Sequence, residues 1–202
     1  MGRTVGILIF DGVEILDFCG PYEVFSVAGR EADGRVLTVH TVAEDATAVR
    51  AANGLVVHPD FAFDDAPNAD LLVVPGGQGT RELLRNERAL SWIANACETA
   101  EIVLSVCTGA LLLGKLGLLD GLDATTHHGS YGLLRRLAPK ANVREGTRYI
   151  DNGKYVVSAG VAAGIDASFH VVARLFGGDT ATRAADHIEY PWEPSVARPE
   201  GS

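Results

Sequence analysis

Cys107 stands where a strand-like segment passes directly into a helix-like one. Residues 103–110 read VLSVCTGA, and the apolar run continues to residue 116 as ALLLGKL. A strand, a nucleophile and a helix in immediate succession make a nucleophile elbow, here with Gly109 two places after the cysteine and Ser105 in place of the first glycine. The start of the helix also favours a thiolate. The pattern predicts a nucleophilic cysteine; the alternative is a small buried hydrophobic residue.

Asp17 is the acidic residue expected to act with this thiol. It stands between Leu16 and Phe18, so we expect its carboxyl group to be partly buried. If it lies against Cys107, two adjacent anions would repel each other and the pair would share a proton. The chemically useful arrangement is a thiolate that attacks, beside a protonated Asp17 that then protonates the adduct. The alternative for Asp17 is a helix cap.

Two glycines and a threonine are candidates for the surroundings of the thiol. Gly76 and Gly77 follow the apolar strand LLVVP, and their N–H groups would form an oxyanion hole unless the glycines only make a turn. Thr108 would supply its N–H group and its hydroxyl at the start of the helix, or would merely cap it. We therefore assign Thr108 to the catalytic residues and the two glycines to substrate binding.

His127 and Cys19 complete the candidate substrate-binding residues. His127 ends the strand that follows the elbow and would approach the thiol, or would be a polar cap on that strand. Cys19 follows Asp17 by two residues and is expected to line the same pocket. With three scattered cysteines and no C-x-x-C pair, we expect neither a disulfide framework nor a metal site. No dinucleotide fingerprint or Walker loop is present, so no nucleotide cofactor is expected.

The charge balance argues against several kinds of partner. The 202 residues include 17 Lys and Arg against 26 Asp and Glu, a formal net charge of -9. Nucleic acid and anionic lipid both call for a basic surface, so we expect no nucleic-acid partner and no membrane partner. The start MGRTV leads straight into a strand without a signal-peptide core. We therefore expect a cytoplasmic protein. A nucleophilic Cys107 in turn implies that its partner is a small-molecule electrophile.

Strand-like and helix-like segments alternate along the chain. This order is typical of an α/β fold with a doubly wound, mostly parallel sheet sandwiched by helices. Buried strands are predicted at residues 5–10, 36–42, 71–75 and 102–106. We expect one domain over residues 1–190, followed by a flexible tail over residues 191–202.

Three local features depart from simple alternation. Asn53 and Gly54 predict the turn of one β-hairpin, and the sequence Asp-Asn-Gly at 151–153 predicts a second, between strands at 143–149 and 155–158. Gly20 and Pro21 predict a break in the helix after the first strand, with a new helix starting at Pro21.

The predicted sheet would bring the candidate residues together. Ligands of doubly wound folds bind at the carboxyl ends of the strands. Three unusual loops fall there, at residues 11–21, 75–79 and 105–109. They contain Asp17, the two glycines and Cys107, and all three would face one crevice.

Four segments of the chain resemble the ThiJ/PfpI superfamily, the class I glutamine amidotransferase-like proteins. They occur in that family's order, span nearly the whole chain, and read VGILIFDGVEILDFCGPYEVF, LLVVPGGQGT, LSVCTGALLLGKLGLLDGLDATTHH and VVSAGVAAGIDASFHVVARLFG. The elbow together with GLLDG-x-x-ATTHH is typical of a subgroup. That subgroup contains isocyanide hydratases and the sensor-like domains of AraC-type regulators.

The resemblance implies roles for individual residues. Cys107 matches the family's nucleophile, and Asp17, in the motif L-D-x-x-G-P, matches the acid that hydrogen-bonds it. Gly77 and Thr108 match the neighbours that surround the thiol. The resemblance also implies a flavodoxin-like fold, a homodimer with the site near its interface, and chemistry without a metal or organic cofactor.

The activity implied for this subgroup is the hydration of an isocyanide to an N-substituted formamide through a cysteine thioimidate, which is a hydro-lyase reaction. Two alternatives remain open at the level of sequence. One is a non-catalytic sensing domain for a small molecule, like that of the AraC-type regulators. The other is a redox or glyoxalase-like stress protein.

Overall fold

The computed structural model describes residues 2–31 and 37–193, so Val36 and most of the expected tail lie outside the described residues. The strands, in chain order, are β1 (Arg3–Leu8), β2 (Leu37–Ala43), β3 (Val49–Arg50), β4 (Val56–Val57), β5 (Phe61–Ala62), β6 (Leu71–Val74), β7 (Ile102–Ser105), β8 (Asp123–Ala124), β9 (Asn142–Val143), β10 (Tyr149–Asp151) and β11 (Tyr155–Ser158). The helices are α1 (Ile15–Glu31), α2 (Thr80–Leu83), α3 (Glu87–Thr99), α4 (Gly109–Lys115), α5 (Tyr131–Leu137), α6 (Ala163–Phe176) and α7 (Gly178–His187).

A seven-stranded sheet in the order β10-β11-β7-β6-β1-β2-β5 forms the centre of the fold. Neighbouring strands are parallel, except for the antiparallel pair β10 and β11. Every residue of β6 and β7 is buried. Their sequences, LLVV and IVLS, are the near-continuous apolar runs expected of strands covered by helices on both faces. The predicted fold class, a doubly wound α/β sheet, is confirmed.

The direction of winding reverses between β1 and β6. The chain moves from β1 through α1 to β2 on one side, and from β6 through α3 to β7 on the other. Because such crossovers are right-handed, the reversal places α1 and α3 on opposite faces of the sheet. A crevice opens at the carboxyl ends of strands at such a point. The loops after β1, β6 and β7 all begin there.

Two helices show how local sequence fixes this frame. Asn86 caps α3 by accepting a 3.1 Å hydrogen bond from the N–H group of Ala89. Ala89, Ile93 and Cys97 follow at intervals of four residues and are buried, which gives α3 one apolar face. In α4 the residues from Gly109 to Gly114 are all buried, so this helix lies inside the protein rather than on its surface.

The predicted helix break at Gly20 and Pro21 is wrong. The helix α1 runs through both residues without interruption. Pro21 removes one backbone hydrogen bond, the one to the carbonyl of Asp17. Burial on both sides of it, at Phe18, Val24 and Phe25, holds the helix against β2, α6 and α7. Tertiary packing therefore overrides the local cost of the proline.

The second predicted hairpin is correct in its turn and wrong in its first strand. The strands β10 and β11 pair across the turn at 151–153, but β10 begins only at Tyr149. Gly146 has a φ of 72° and ends the earlier extended segment. That segment, β9, instead pairs in parallel with β8 in a separate two-stranded sheet. The first hairpin, formed by β3 and β4, is confirmed.

Two short elements had no counterpart in the sequence prediction: the edge strand β5 and the helix α2. Both are four residues long or shorter, too short for hydrophobic periodicity to reveal them. The short strand expected before His127 is present as β8, but its parallel pairing with β9 was not expected. Within the described residues, no helix is both long and apolar enough to cross a membrane.

Gly109, two places after Cys107, allows a test of how tightly the elbow is packed. A Cβ atom on Gly109 would lie 2.0 Å from the carbonyl oxygen of Val74, a backbone atom that cannot swing aside. We expect Gly109→Ala to lower the free energy of unfolding by roughly 2–3 kcal/mol, as overpacking does elsewhere. Urea denaturation would measure it. The control is Gly178→Ala, where a Cβ meets nothing within 4 Å, and equal losses in the two variants would contradict the packing.

Candidate active site

The three predicted loops meet at the carboxyl ends of the strands. Val13 forms a bridge with Gly77, and the N–H group of Glu14 donates to the carbonyl of Gly76 at 2.9 Å. On the other side, the N–H group of Val106 donates to the carbonyl of Val74, at the end of β6, at 3.0 Å. The N–H group of Cys107 donates to the carbonyl of Ala159, also at 3.0 Å. Backbone hydrogen bonds therefore fix the loop after β1, the loop after β6 and the elbow against one another.

Cys107 occupies a strained backbone position. Its φ is 57°, in the left-handed region, and its side chain is buried, with the residue 5% exposed. The backbone N–H groups of Thr108 and Val161 both donate to the sulfur. Val161 is itself left-handed, with a φ of 49°, which is rare for a β-branched residue. Two strained residues thus hold the sulfur and one of its donors in place.

Asp17 is fully buried beside the thiol. Its Oδ2 atom accepts a 3.0 Å hydrogen bond from the N–H group of Gly76. The other oxygen, Oδ1, has no hydrogen-bond partner among the described residues. Burial raises the pKa of Asp17 to about 7, against smaller lowering effects of Gly76 and Cys107. Near neutral pH this carboxyl group therefore exchanges a proton readily.

The surroundings of Cys107 act against the thiolate expected from the sequence. Burial, followed by the negative charge of Asp17, raises the pKa of the thiol to about 12. The two N–H groups at the sulfur act in the opposite direction and do not outweigh these effects. Burial thus favours the protonated form of both groups. The shared proton, and its placement on Asp17 beside a thiolate, stay predictions.

Gly76 is required by the closeness of Asp17 and Thr108. A Cβ atom there would lie 2.4 Å from the backbone nitrogen of Thr108 and 2.9 Å from Oδ2 of Asp17. Any other residue at 76 would push apart the strand end, the carboxyl group and the elbow. This glycine, in the loop that follows β6, is what allows the acid and the nucleophile to approach each other.

Thr108 fastens the glycine loop to the elbow. Its hydroxyl accepts from the N–H group of Gly77 at 2.9 Å and lies 3.1 Å from the carbonyl of Gly77, to which it donates. It makes no side-chain cap on α4, which removes the capping alternative. The N–H groups of Gly76 and Gly77 are thus committed to Asp17 and Thr108. Neither N–H group is free to form an oxyanion hole in this conformation, so that prediction is wrong.

His127 and Cys19 occupy different surroundings. His127 is half-buried, and its ring leaves no room for a side chain at Gly160. Burial and the nearby charges of His128 and Arg81 lower its pKa, whereas Glu14 acts to raise it. Cys19 is half-buried and, two residues after Asp17 on α1, is rotated by about 200° around the helix from it. Contact of either residue with a substrate stays a prediction.

The sequence analysis missed two parts of the site. Val161 supplies an N–H group to the sulfur, and Thr126 donates from its hydroxyl to the carbonyl of Cys107 at 2.7 Å. A signal for the first was present in the segment GVAAG at 160–164, which reads as a tight turn at a helix entry. A single sequence does not indicate that this turn lies against the elbow in the folded protein.

The buried acid predicts a pH dependence of stability. The pKa of Asp17 in the folded protein, about 7, lies above its ordinary value of 3.8, so the folded state keeps a proton that the unfolded chain loses. The contribution of Asp17 to stability is therefore fully present below pH 4 and is lost as the pH rises to 7, by up to about 1.4 kcal/mol per pH unit. Denaturation of the wild type and of Asp17→Asn across this range would isolate the effect. Parallel stability profiles for the two proteins would contradict the raised pKa.

Comparison with known proteins adds independent findings. A sequence profile of the DJ-1/PfpI family matches residues 3–174. Isonitrile hydratase of Pseudomonas putida is 36% identical over 194 residues, which cover 96% of this chain and 81% of that protein. The HTH-type transcriptional regulator GbdR of Pseudomonas aeruginosa is 26% identical over 93% of this chain, and the match spans only 51% of the regulator.

A solved structure agrees with these matches. The crystal structure of a THiJ/PfpI family protein from Pseudomonas syringae superposes with a TM-score of 0.85 at 27% identity, covering 100% of this chain and 80% of that one. The elbow cysteine, the buried acid and the doubly wound sheet thus occur in a chain that matches the family over most of its length. The chain belongs to the DJ-1/PfpI family.

Proposed function

We propose that this protein hydrates isocyanides to N-substituted formamides, with Cys107 as the nucleophile and Asp17 as the acid and base. The observation that carries the proposal is the buried Asp17 beside the thiol, with its Oδ1 atom unpartnered and its pKa raised to about 7. A carboxyl group in this state can take a proton from sulfur and pass it to a bound molecule. The 36% identity to an isonitrile hydratase supports the choice of substrate.

The first half of the reaction joins the substrate to sulfur. As the sulfur of Cys107 bonds to the terminal carbon of the isocyanide, its proton passes to the carboxylate of Asp17. Asp17 then donates that proton to the same carbon, which gives the thioimidate Cys107–S–CH=N–R. Asp17 ends the step as a carboxylate, and no external proton is consumed.

The second half adds water and releases the product. Asp17 takes a proton from water as the oxygen bonds to the thioimidate carbon, and then passes this proton to the nitrogen. The C–S bond breaks with its electron pair on sulfur, and the hydroxyl proton returns through Asp17 to sulfur. The products are the N-substituted formamide and the original thiol, so the net change is the addition of one water.

The groups around Cys107 stabilise the negative charge that develops on its sulfur during these steps. The N–H groups of Thr108 and Val161 already point at the sulfur, so they stabilise the negative charge that develops when its proton leaves. Burial of Cys107 and Asp17 makes these interactions stronger than in water. The way in for a substrate would be lined by charged or polar side chains beside the site, those of Glu14, Arg81 and His127.

We include a homodimer in this proposal, supported by the exposure of Leu16 and Tyr22 on α1.

A ligand-sensing role is the second candidate. The resting thiol keeps its proton, with a pKa of about 12, and one relative is a transcriptional regulator of which this chain spans about half. A sensor would bind a small electrophile near Cys107 without releasing a product. Formation of formamide therefore separates the two roles.

The hydratase proposal is tested by following formamide absorbance with an alkyl isocyanide. We expect turnover in the wild type, none above the buffer blank in Cys107→Ala, and a loss of about 10²–10⁴-fold in Asp17→Asn. Because the reactive pair needs Asp17 as the anion, kcat/KM should rise with pH through about 7 and then level off. A wild-type rate equal to that of Cys107→Ala would eliminate the proposal.

Thr108 is expected to act as a positioning residue through its hydroxyl. Thr108→Val keeps the shape but leaves the N–H group of Gly77 unpaired, and should lower kcat roughly tenfold with little change in KM. Thr108→Ser keeps the hydroxyl and should restore most of the activity. The opposite result, activity kept in Thr108→Val and lost in Thr108→Ser, would mean that the methyl group rather than the hydrogen bond is what matters.

A further inference from the structure

Arg148, which comes directly before β10, contacts both ends of the segment that supplies Val161 to the thiol. Its backbone carbonyl accepts a 2.9 Å hydrogen bond from the N–H group of Ala159. Its guanidinium group forms an ion pair, through Nε, with Oδ2 of Asp166 in the first turn of α6. We call residues 159–166, which run from one of these contacts to the other, the Val161 segment.

Val161 depends on such contacts because its backbone is strained. A φ of 49° is unfavourable for a β-branched residue and persists only where the surrounding structure enforces it. In this conformation its N–H group donates to the sulfur of Cys107. A change of φ at Val161 rotates the peptide plane that carries the N–H group. A relaxed backbone would therefore turn this donor away from the sulfur.

The Val161 segment also lies directly against the elbow. The carbonyl of Ala159 accepts the hydrogen bond from the N–H group of Cys107 at 3.0 Å. A Cβ atom on Gly164 would lie only 2.7 Å from Cγ1 of Val106, the residue before the cysteine. A shift at either end of the segment would therefore be felt at Cys107.

Asp166 is bound from two sides. Its Oδ2 atom pairs with Arg148, and its Oδ1 atom accepts a 3.0 Å hydrogen bond from the hydroxyl of Tyr190. The side chains of Arg148 and Tyr190 are also hydrogen-bonded to each other. Burial, followed by the bond to Asp166, raises the pKa of Tyr190, so its hydroxyl remains a donor. The carboxylate is only 15% exposed, so this cluster is more than a solvated surface pair.

The chain after α7 brings Tyr190 to this carboxylate. Glu189 has a φ of 52°, and this left-handed residue turns the chain back towards α6. Tyr190 then stacks on Phe169 with the ring centroids 5.7 Å apart, and Trp192 packs on the same ring at 5.6 Å. Phe169 is fully buried in α6. These ring contacts fix the hydroxyl of Tyr190 beside the first turn of that helix.

We propose that Arg148 and Tyr190 are positioning residues for the reaction at Cys107. By binding Asp166 from two sides, they hold the Val161 segment in its strained form and keep its N–H donor on the sulfur. They act on the thiol through this segment rather than by contact with a substrate. The proposal rests on Cys107 as the nucleophile of the proposed function, but not on an isocyanide as its substrate.

The orientation of the Val161 N–H group is tested by NMR hydrogen exchange, which requires no reaction at Cys107. Tyr190→Phe removes only a hydroxyl, and Arg148→Met removes the guanidinium group but keeps an unbranched side chain. In each variant we expect the amide of Val161 to exchange at least about tenfold faster than in the wild type. Arg148→Lys keeps a charged donor and should restore most of the protection.

The reactivity of the thiol is the second readout. Alkylation of Cys107 by iodoacetamide is followed at this residue by mass spectrometry, from about pH 8 to about pH 10. We expect it to be roughly fivefold to tenfold slower in Tyr190→Phe and Arg148→Met at each pH. Loss of the Val161 N–H donor raises the pKa of the thiol, so less of it is thiolate. A merely structural role would lower the free energy of unfolding without slowing alkylation.

The ion pair of Arg144 with Asp123 provides a matched control. It is 3.2 Å long, and its side chains are 47% and 24% exposed, against 54% and 15% for Arg148 and Asp166. Asp123 lies in β8, outside the Val161 segment. Arg144→Met should therefore leave hydrogen exchange at Val161 and alkylation of Cys107 as they are in the wild type.

Three outcomes would overturn the proposal. The first is unchanged hydrogen exchange at Val161 in both Tyr190→Phe and Arg148→Met. The second is faster exchange without slower alkylation, which would make the two residues merely structural. The third is an equal effect of Arg144→Met on both readouts. Neither readout uses an isocyanide, so these results are independent of whether the protein is a hydratase.

Discussion

The approach of a buried carboxyl group to a buried thiol is the constraint on which the site depends. Asp17 lies in the first turn of α1, after β1, and Cys107 lies in the elbow after β7. The loop after the strand between these two, β6, contains the glycine that lets them meet. Burial alone would leave both groups protonated and inert. Their contact, with N–H groups aimed at the sulfur and at one carboxyl oxygen, creates a pair that can release and recover a single proton. The doubly wound sheet is the frame that holds the two loops at the required distance.

Much of this arrangement could be predicted from sequence because the signals are local. The apolar runs of β6 and β7 identify buried parallel strands, and the elbow around Cys107 is a continuous motif. Parallel strands end at the same edge, so the motif on one loop implies the neighbours on the others. Asp17, Gly76 and Gly77 were found by this reasoning without any knowledge of their contacts.

What could not be predicted depends on distances between segments far apart in sequence. Burial outweighs the N–H groups at the sulfur and raises the pKa of the Cys107 thiol, a balance that requires the full environment of the residue. The N–H group of Val161 reaches the thiol across 54 positions of sequence. Pro21 was misread as a break because its local cost is visible in the sequence, while the packing of Phe18 and Phe25 that offsets it is not.

The tight contact of Gly76 with Asp17 and Thr108 has a consequence for how such a protein can diversify. A position where a single methyl group would collide with two backbone or catalytic atoms admits no gradual change, and the same holds for Gly109 against Val74. Under the proposed function, the side chains left to change are those at the entrance, such as Glu14, Arg81 and His127. Exchanges there would alter which ligand is bound, or whether it is turned over, and would leave the elbow beneath as it was.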